Sequence, residues 1–131
     1  LLTPQAVLAE WKESAFKAKD ISTALKELLG SDAAETSDKI KIKAPDIAEN
    51  GAVVPVTVET DLEGVTSIAI IAAKNQTPLL AGFELGAMAM PFVSTRIKMA
   101  ETADVVAVVK AGDKLYRNAK SVKVTIGGCG G

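Results

Sequence analysis

Hydrophobic positions change period once along the chain. Val7, Leu8, Trp11, Ala15 and Phe16 recur at helical spacing, with Glu10, Lys12, Glu13 and Lys17 between them. Thr3 is a candidate N-cap, and Pro4 fits the first helical position, where its missing N–H costs nothing. Lys19-Asp20 breaks this helix. A second helix carries Ile21, Leu25, Leu28 and Leu29, with Asp20 or Ser22 as its cap and Gly30 as its stop signal. The pattern therefore predicts a helical segment over 3–30, followed by a polar connector, Ser31 to Asp38.

From Lys39 the period is two. Ile40 and Ile42 alternate with lysines, and Val54, Val56 and Val58 alternate with Pro55, Thr57 and Glu59. Val65 to Lys74 is a β-branched, mostly apolar run, as expected of a central strand. Ser94 to Glu101 and Asp104 to Lys110 read as a further pair, Leu115-Tyr116 as the start of a short strand, and Val122 to Ile126 as the last strand. Turn signals separate them at Glu49-Asn50-Gly51, Glu63-Gly64, Asn75-Gln76-Thr77-Pro78 and Ala111-Gly112-Asp113. About seven short strands with frequent turns predict a mainly β fold, an immunoglobulin-like antiparallel β-sandwich over 39–126 preceded by helices. The likeness to immunoglobulin domains is architectural, because a chain with one cysteine has no Cys…Trp…Cys core. A length of 131 residues suits one domain, 1–126, followed by a glycine-rich arm, 127–131.

Composition narrows the function. Lys plus Arg is 15 and Asp plus Glu 16, a net charge of -1, with no basic stripe, which argues against a nucleic acid or an anionic membrane surface as partner. No apolar run approaches the ~20 residues of a membrane helix. There is no histidine, which removes the commonest general base and metal ligand. A single cysteine excludes an intrachain disulfide and a thiolate metal cluster, and no cofactor motif is present. These absences predict a protein that is not an enzyme.

The chemistry-bearing stretch is the end of the chain, VTIGGCGG. Ile126 belongs to the alternating strand. Gly127, Gly128, Gly130 and Gly131 surround Cys129 with residues that have no side chain to bury and wide backbone freedom, which predicts a flexible, thin tether. Three residues beyond Ile126, fully extended, span roughly 10 Å. No His, Lys or Arg lies in the tail to activate the thiol, and an ordinary thiol with a pKa of ~8.5 is only a few per cent thiolate at neutral pH. An accessible, unactivated thiol on a tether suits a covalent carrier whose partner enzymes supply activation. The alternative is a structural or adhesion-type sandwich in which Cys129 forms an interchain disulfide. A prenylation site needs its cysteine fourth from the end, whereas here it is third.

Together with this terminus, Thr95-Arg96-Ile97-Lys98-Met99-Ala100, Val105-Val106-Ala107-Val108-Val109, Lys114-Leu115-Tyr116, the helical Ser22-Thr23-Ala24-Leu25 and Val122-Lys123-Val124-Thr125-Ile126 resemble the SoxY family. These are the substrate-carrying subunits of the bacterial Sox thiosulfate-oxidising system. The resemblance implies that Cys129 holds sulfur intermediates as a covalent adduct and that the chain pairs with a second β-sandwich protein, SoxZ. It further implies transient docking to the SoxAX haem cytochrome that attaches thiosulfate, the SoxB hydrolase that releases sulfate, and the SoxCD sulfane dehydrogenase. The implied compartment is the periplasm; the family's twin-arginine export signal is not in this sequence, as expected of a mature chain.

Three features fall outside the tail. Met88, Met90 and Phe92 lie in the most apolar stretch beyond the clear strands and are candidates for the partner interface, with this domain's own core as the equal alternative. Arg96 and Lys98 fit a solvated sheet face, with docking or guidance of an anionic adduct as the sharper reading. Trp11 and Phe16 are read as the buried face of the first helix.

Overall fold

The computed structural model describes residues 13–86 and 90–127. Trp11, Met88 and the stretch 128–131 with Cys129 lie outside the described residues.

Residues 13–17 are helical, and the chain breaks before helix α1, Ile21–Leu29. Asp20 is the N-cap: its carboxylate accepts the Thr23 amide at 2.8 Å and the Thr23 hydroxyl at 2.9 Å. Gly30 ends the helix with φ 84°, a left-handed conformation that favours glycine, and its N–H donates to the Lys26 carbonyl at 3.0 Å.

Among the described residues the chain then forms nine strands: β1 Ala34–Thr36, β2 Ile40–Lys43, β3 Ile47–Ala48, β4 Val54–Thr60, β5 Val65–Ala72, β6 Leu79–Glu84, β7 Phe92–Ile97, β8 Ala103–Ala111 and β9 Lys114–Val124. One sheet runs β1-β9-β8-β5-β6, with β3 beside β1 along the same outer edge of β9. The other runs β2-β4-β7. Pairing is antiparallel except for β1 and β3, which run parallel to β9.

The two sheets face each other across Val54, Val56 and Val58 of β4, Ile68 and Ile70 of β5, and Val105 and Val109 of β8. The opposite face of the larger sheet is covered by the helical segment. Ala15, Ala24, Leu25, Leu28 and Leu29 pack on Ala69, Ile71, Leu79, Val106 and Val108. Strands β5 and β8 are thus buried on both faces, which is why they read as continuous apolar runs instead of alternating ones. Pro55 is tolerated inside β4 because β2 pairs only with Thr57–Thr60. At Pro55 the strand has only β7 beside it, so one edge lacks a ladder partner to satisfy.

The structure corrects three boundaries and adds two strands. The connector predicted over Ser31–Asp38 contains β1, so the sandwich begins before Lys39. The strand predicted to run from Ser94 to Glu101 is Phe92–Ile97, and the chain leaves the sheet at Lys98. The two final strands are one, Lys114–Val124, whose middle is only partly buried and so lacks an apolar signal. β3 and β6 carry no alternation in sequence: β3 is two residues long, and β6 has one buried residue followed by partly exposed ones.

Leu28 is buried in the seat of the helix on the sheet, its side chain against Gly82 of β6. Leu28→Ala is expected to lower unfolding stability by about 2–5 kcal/mol, measured by urea denaturation. Acid stability draws on Asp20 and Asp46, two of the carboxylates held below their ordinary pKa in the folded chain. Asp20 is held below its ordinary pKa by hydrogen bonds from the Thr23 amide and then its hydroxyl. Asp46 is held below by its hydrogen bond with Lys120, 2.7 Å away, reinforced by that lysine's charge. A carboxylate depressed in the folded state stabilises above its unfolded pKa, ~3.9, and loses that contribution as pH falls through the lower folded value. The urea midpoint should therefore fall between pH 5 and pH 2.5 more steeply in the wild type than in an Asp20→Asn, Asp46→Asn double variant; equal slopes would contradict this assignment.

Candidate functional site at the base of the C-terminal arm

Strand β9 delivers the chain to its end, and backbone hydrogen bonds hold it beyond the sheet's last register pair. Val124 donates its N–H to the Thr102 hydroxyl at 2.9 Å. Thr125 donates its N–H to the Ala48 carbonyl at 3.1 Å and its hydroxyl to the Glu49 carbonyl at 3.0 Å. The Ile126 carbonyl accepts the Gly51 N–H at 2.7 Å, and the Gly51 carbonyl in turn accepts the Met99 N–H at 2.7 Å. Gly51 thus ties Ile126 to the segment that follows β7. The turn that positions Gly51 is set locally, because the Asn50 side chain accepts the Ala52 N–H at 2.9 Å.

The 98–100 segment is itself fixed from inside the sandwich. Met99 is fully buried in the inter-sheet core. Asn75 is 6% exposed and occupies the place a neighbouring strand would take: its Nδ2 donates to the Lys98 carbonyl at 2.7 Å, and its Oδ1 accepts the Ala100 N–H at 2.9 Å. β7 ends at Ile97, where its pairing with β4 runs out at Val54. A side-chain amide, not a strand, satisfies the backbone that follows.

Gly127 lies against this segment. A Cβ built on Gly127 would stand 2.1 Å from the Ala100 carbonyl oxygen and 3.1 Å from its carbon, so no other residue type fits without moving backbone. In the sequence Gly127 is grouped with the arm for its backbone freedom; in the structure the requirement for glycine at this position is close approach. Ile126, by contrast, is 68% exposed.

Of the other sequence-predicted site residues, Gly128, Cys129, Gly130, Gly131 and Met88 lie outside the described residues. Met90 is 79% and Phe92 50% exposed, so neither fills this domain's core. Phe92 pairs with Glu59 at one end of β4, while Val54 at the other end pairs with Ile97, next to the arm base. The two regions are about 17 Å apart along β4 at ~3.4 Å per residue. Arg96 and Lys98 are exposed, Arg96 opposite Pro55 and Lys98 on the arm-base side of Ile97. Asn75 is the residue that sequence reasoning missed. It was read only as part of a turn signal, and the available cue was an amide lying directly after an apolar strand. Among the described residues no three His, Cys, Asp or Glu side chains converge to hold a metal ion.

Comparison with known proteins places this geometry. A search of curated proteins gave no significant match. Among solved structures, the chain is similar to the sulfur carrier protein SoxY from Chlorobium limicola f thiosulfatophilum, with 46% identity and a TM-score of 0.74, covering 87% of this chain and 99% of that one. It also shares its fold with the superoxide reductase (neelaredoxin) from Ignicoccus hospitalis, at 17% identity and a TM-score of 0.62, covering 70% of this chain and 94% of that one. The family model for the sulfur oxidation protein SoxY matches residues 25–129, from the middle of α1 to the cysteine of the tail. The chain belongs to the SoxY family of sulfur oxidation proteins.

Proposed function

We propose that the chain is a non-catalytic carrier that holds the sulfur intermediates of thiosulfate oxidation on Cys129. The observation that supports this reading most is the family match, which runs to residue 129 and so includes the single thiol of the chain. That thiol stands two residues beyond a glycine held against the folded body.

The chemistry balances as follows. The Cys129 thiol and thiosulfate join through a new S–S bond, losing one proton and two electrons, and the electrons pass to a haem cytochrome of the SoxAX type. Water then attacks the terminal sulfone group. The S–S bond to that group breaks, sulfate and two protons leave, and Cys129 retains one extra sulfur as a persulfide for a SoxCD-type dehydrogenase. The chain contributes the attachment point and its presentation. The partner enzymes contribute electron transfer and hydrolysis, for which this histidine-free sequence carries little acid–base equipment. Tethering the intermediate raises its local concentration at each successive site. We place this cycle in the periplasm.

SoxZ is the proposed stable partner, docking through Phe92 and Met90. Both are exposed at the start of β7, which is an edge strand of the smaller sheet. That region lies far along β4 from the arm base, so a partner seated there leaves the arm end open to enzymes.

Incubation with thiosulfate and the cognate cytochrome is expected to add a thiosulfate-sized mass to the wild-type chain and none to Cys129→Ser. An adduct on Cys129→Ser, or no adduct on wild type but only a reducible dimer, overturns the carrier reading. For the partner surface, Phe92→Asp combined with Met90→Asp is expected to weaken heterodimer formation by at least about tenfold, measured by titration calorimetry. Unchanged affinity in a folded variant refutes that surface.

A further inference from the structure

We infer that Asn75 is the positioning residue of the carrier arm: by clamping Lys98 and Ala100 it holds the backbone surface on which Gly127 rests, and so fixes the point from which Cys129 is presented. This deepens the carrier reading above and rests on it for its functional meaning.

The chain of contacts is continuous. Asn75 sits in the turn after β5, and its own backbone is anchored at the Ala72 carbonyl, to which its N–H donates at 3.1 Å. Two residues earlier, Ala73 donates to the Asp104 carbonyl at the start of β8 at 3.0 Å, and Ala72 donates to the Pro78 carbonyl at 2.9 Å. The amide is therefore mounted on the two central strands of the larger sheet. From there it reaches across to bond both backbone groups that flank Met99. Met99 is driven into the core between the sheets, which prevents the segment from sliding. The outer surface of the segment then does two things. The Met99 N–H holds the Gly51 carbonyl, whose own N–H holds Ile126, and the Ala100 carbonyl sets the van der Waals limit for Gly127.

The buried amide has no slack. Among the described residues every buried side-chain nitrogen and oxygen has a hydrogen-bond partner. Removing the Asn75 amide leaves the Lys98 carbonyl and the Ala100 N–H without the side chain that pairs them, and such a loss is repaid only by local rearrangement of the segment. Because the segment is the wall behind Gly127, its rearrangement moves the root of the arm.

A fixed root has a measurable consequence. With Gly127 as the root, two peptide units carry the Cys129 Cα at most roughly 7 Å from it. Every enzyme that uses the thiol must then approach the arm-base end of the sandwich closely, over the exposed Glu49, Asn50, Val53, Lys98, Glu101 and Ile126. If the root were loose from Val124 onward, the reach would exceed roughly 15 Å and no such approach would be needed.

The native single cysteine makes the test direct. A nitroxide label is attached to Cys129 of the full chain and its electron paramagnetic resonance line shape recorded, alongside amide hydrogen exchange at Gly51 and Met99. Asn75→Ala is expected to sharpen the label spectrum and to speed exchange at both amides by at least about tenfold, since each reports opening of the same clamp. Ile68→Val, which trims the core without touching the clamp, is expected to leave the line shape unchanged. Gly127→Ala is expected to release exchange at Gly51 as Asn75→Ala does, whereas Gly128→Ala is expected to leave it as in wild type. A folded Asn75→Ala protein with wild-type line shape and exchange overturns the inference. Should Asn75→Ala fail to fold, Gly127→Ala decides it: unchanged exchange at Gly51 in that variant overturns the inference equally. None of these readings involves thiosulfate or an enzyme, so loss of the adduct chemistry and loss of the clamp are separate results.

Discussion

The contact between Gly127 and the Ala100 carbonyl is the constraint on which the C-terminal end of the described chain depends. Backbone meets backbone there, at a separation no side chain allows. What makes the contact possible lies underneath: a buried methionine and a buried asparagine amide hold the 98–100 segment in place. A strand could have satisfied the same backbone groups, but only by extending the sheet under the chain terminus. The side-chain amide satisfies them without a further strand, and Gly127 rests on the segment it holds.

The layered body explains why this end can be rigid. The larger sheet is packed on both faces, against the second sheet on one side and the helix on the other. β9 is held by β8 from Lys114 to Val122 and by β1 and β3 on its other edge, β3 taking Lys123 and Val124. The last strand is anchored by β8 as far as Val122 and by β3 to Val124, and the hydrogen bonds at Thr125 and Ile126 continue that anchorage past the sheet.

Much of this was legible in the sequence, and the reasons differ by element. The second helix announced itself through Asp20, Gly30 and the leucine spacing, all of which act locally. β5 and β8 were legible because double burial leaves a continuous apolar run. β1 and β3 were not, because strands of three and two residues pair through backbone and parallel register, which leave no mark on side-chain order. β6 was hidden for a related reason, since Gly82 and partly exposed neighbours carry no period. In the candidate site, the glycines and Cys129 stood out by composition alone. Asn75 did not, because its importance comes from residues 23 and 25 positions away that only the fold brings to it.

The central claim is that sulfur travels on the terminal thiol, and the most direct check is tandem mass spectrometry of the C-terminal peptide from protein isolated from cells oxidising thiosulfate. The account predicts sulfur-containing mass additions confined to Cys129 and removed by a thiol reductant. A C-terminal peptide found only with a free thiol, or only cross-linked to a second copy of itself, while the cells consume thiosulfate, would contradict it.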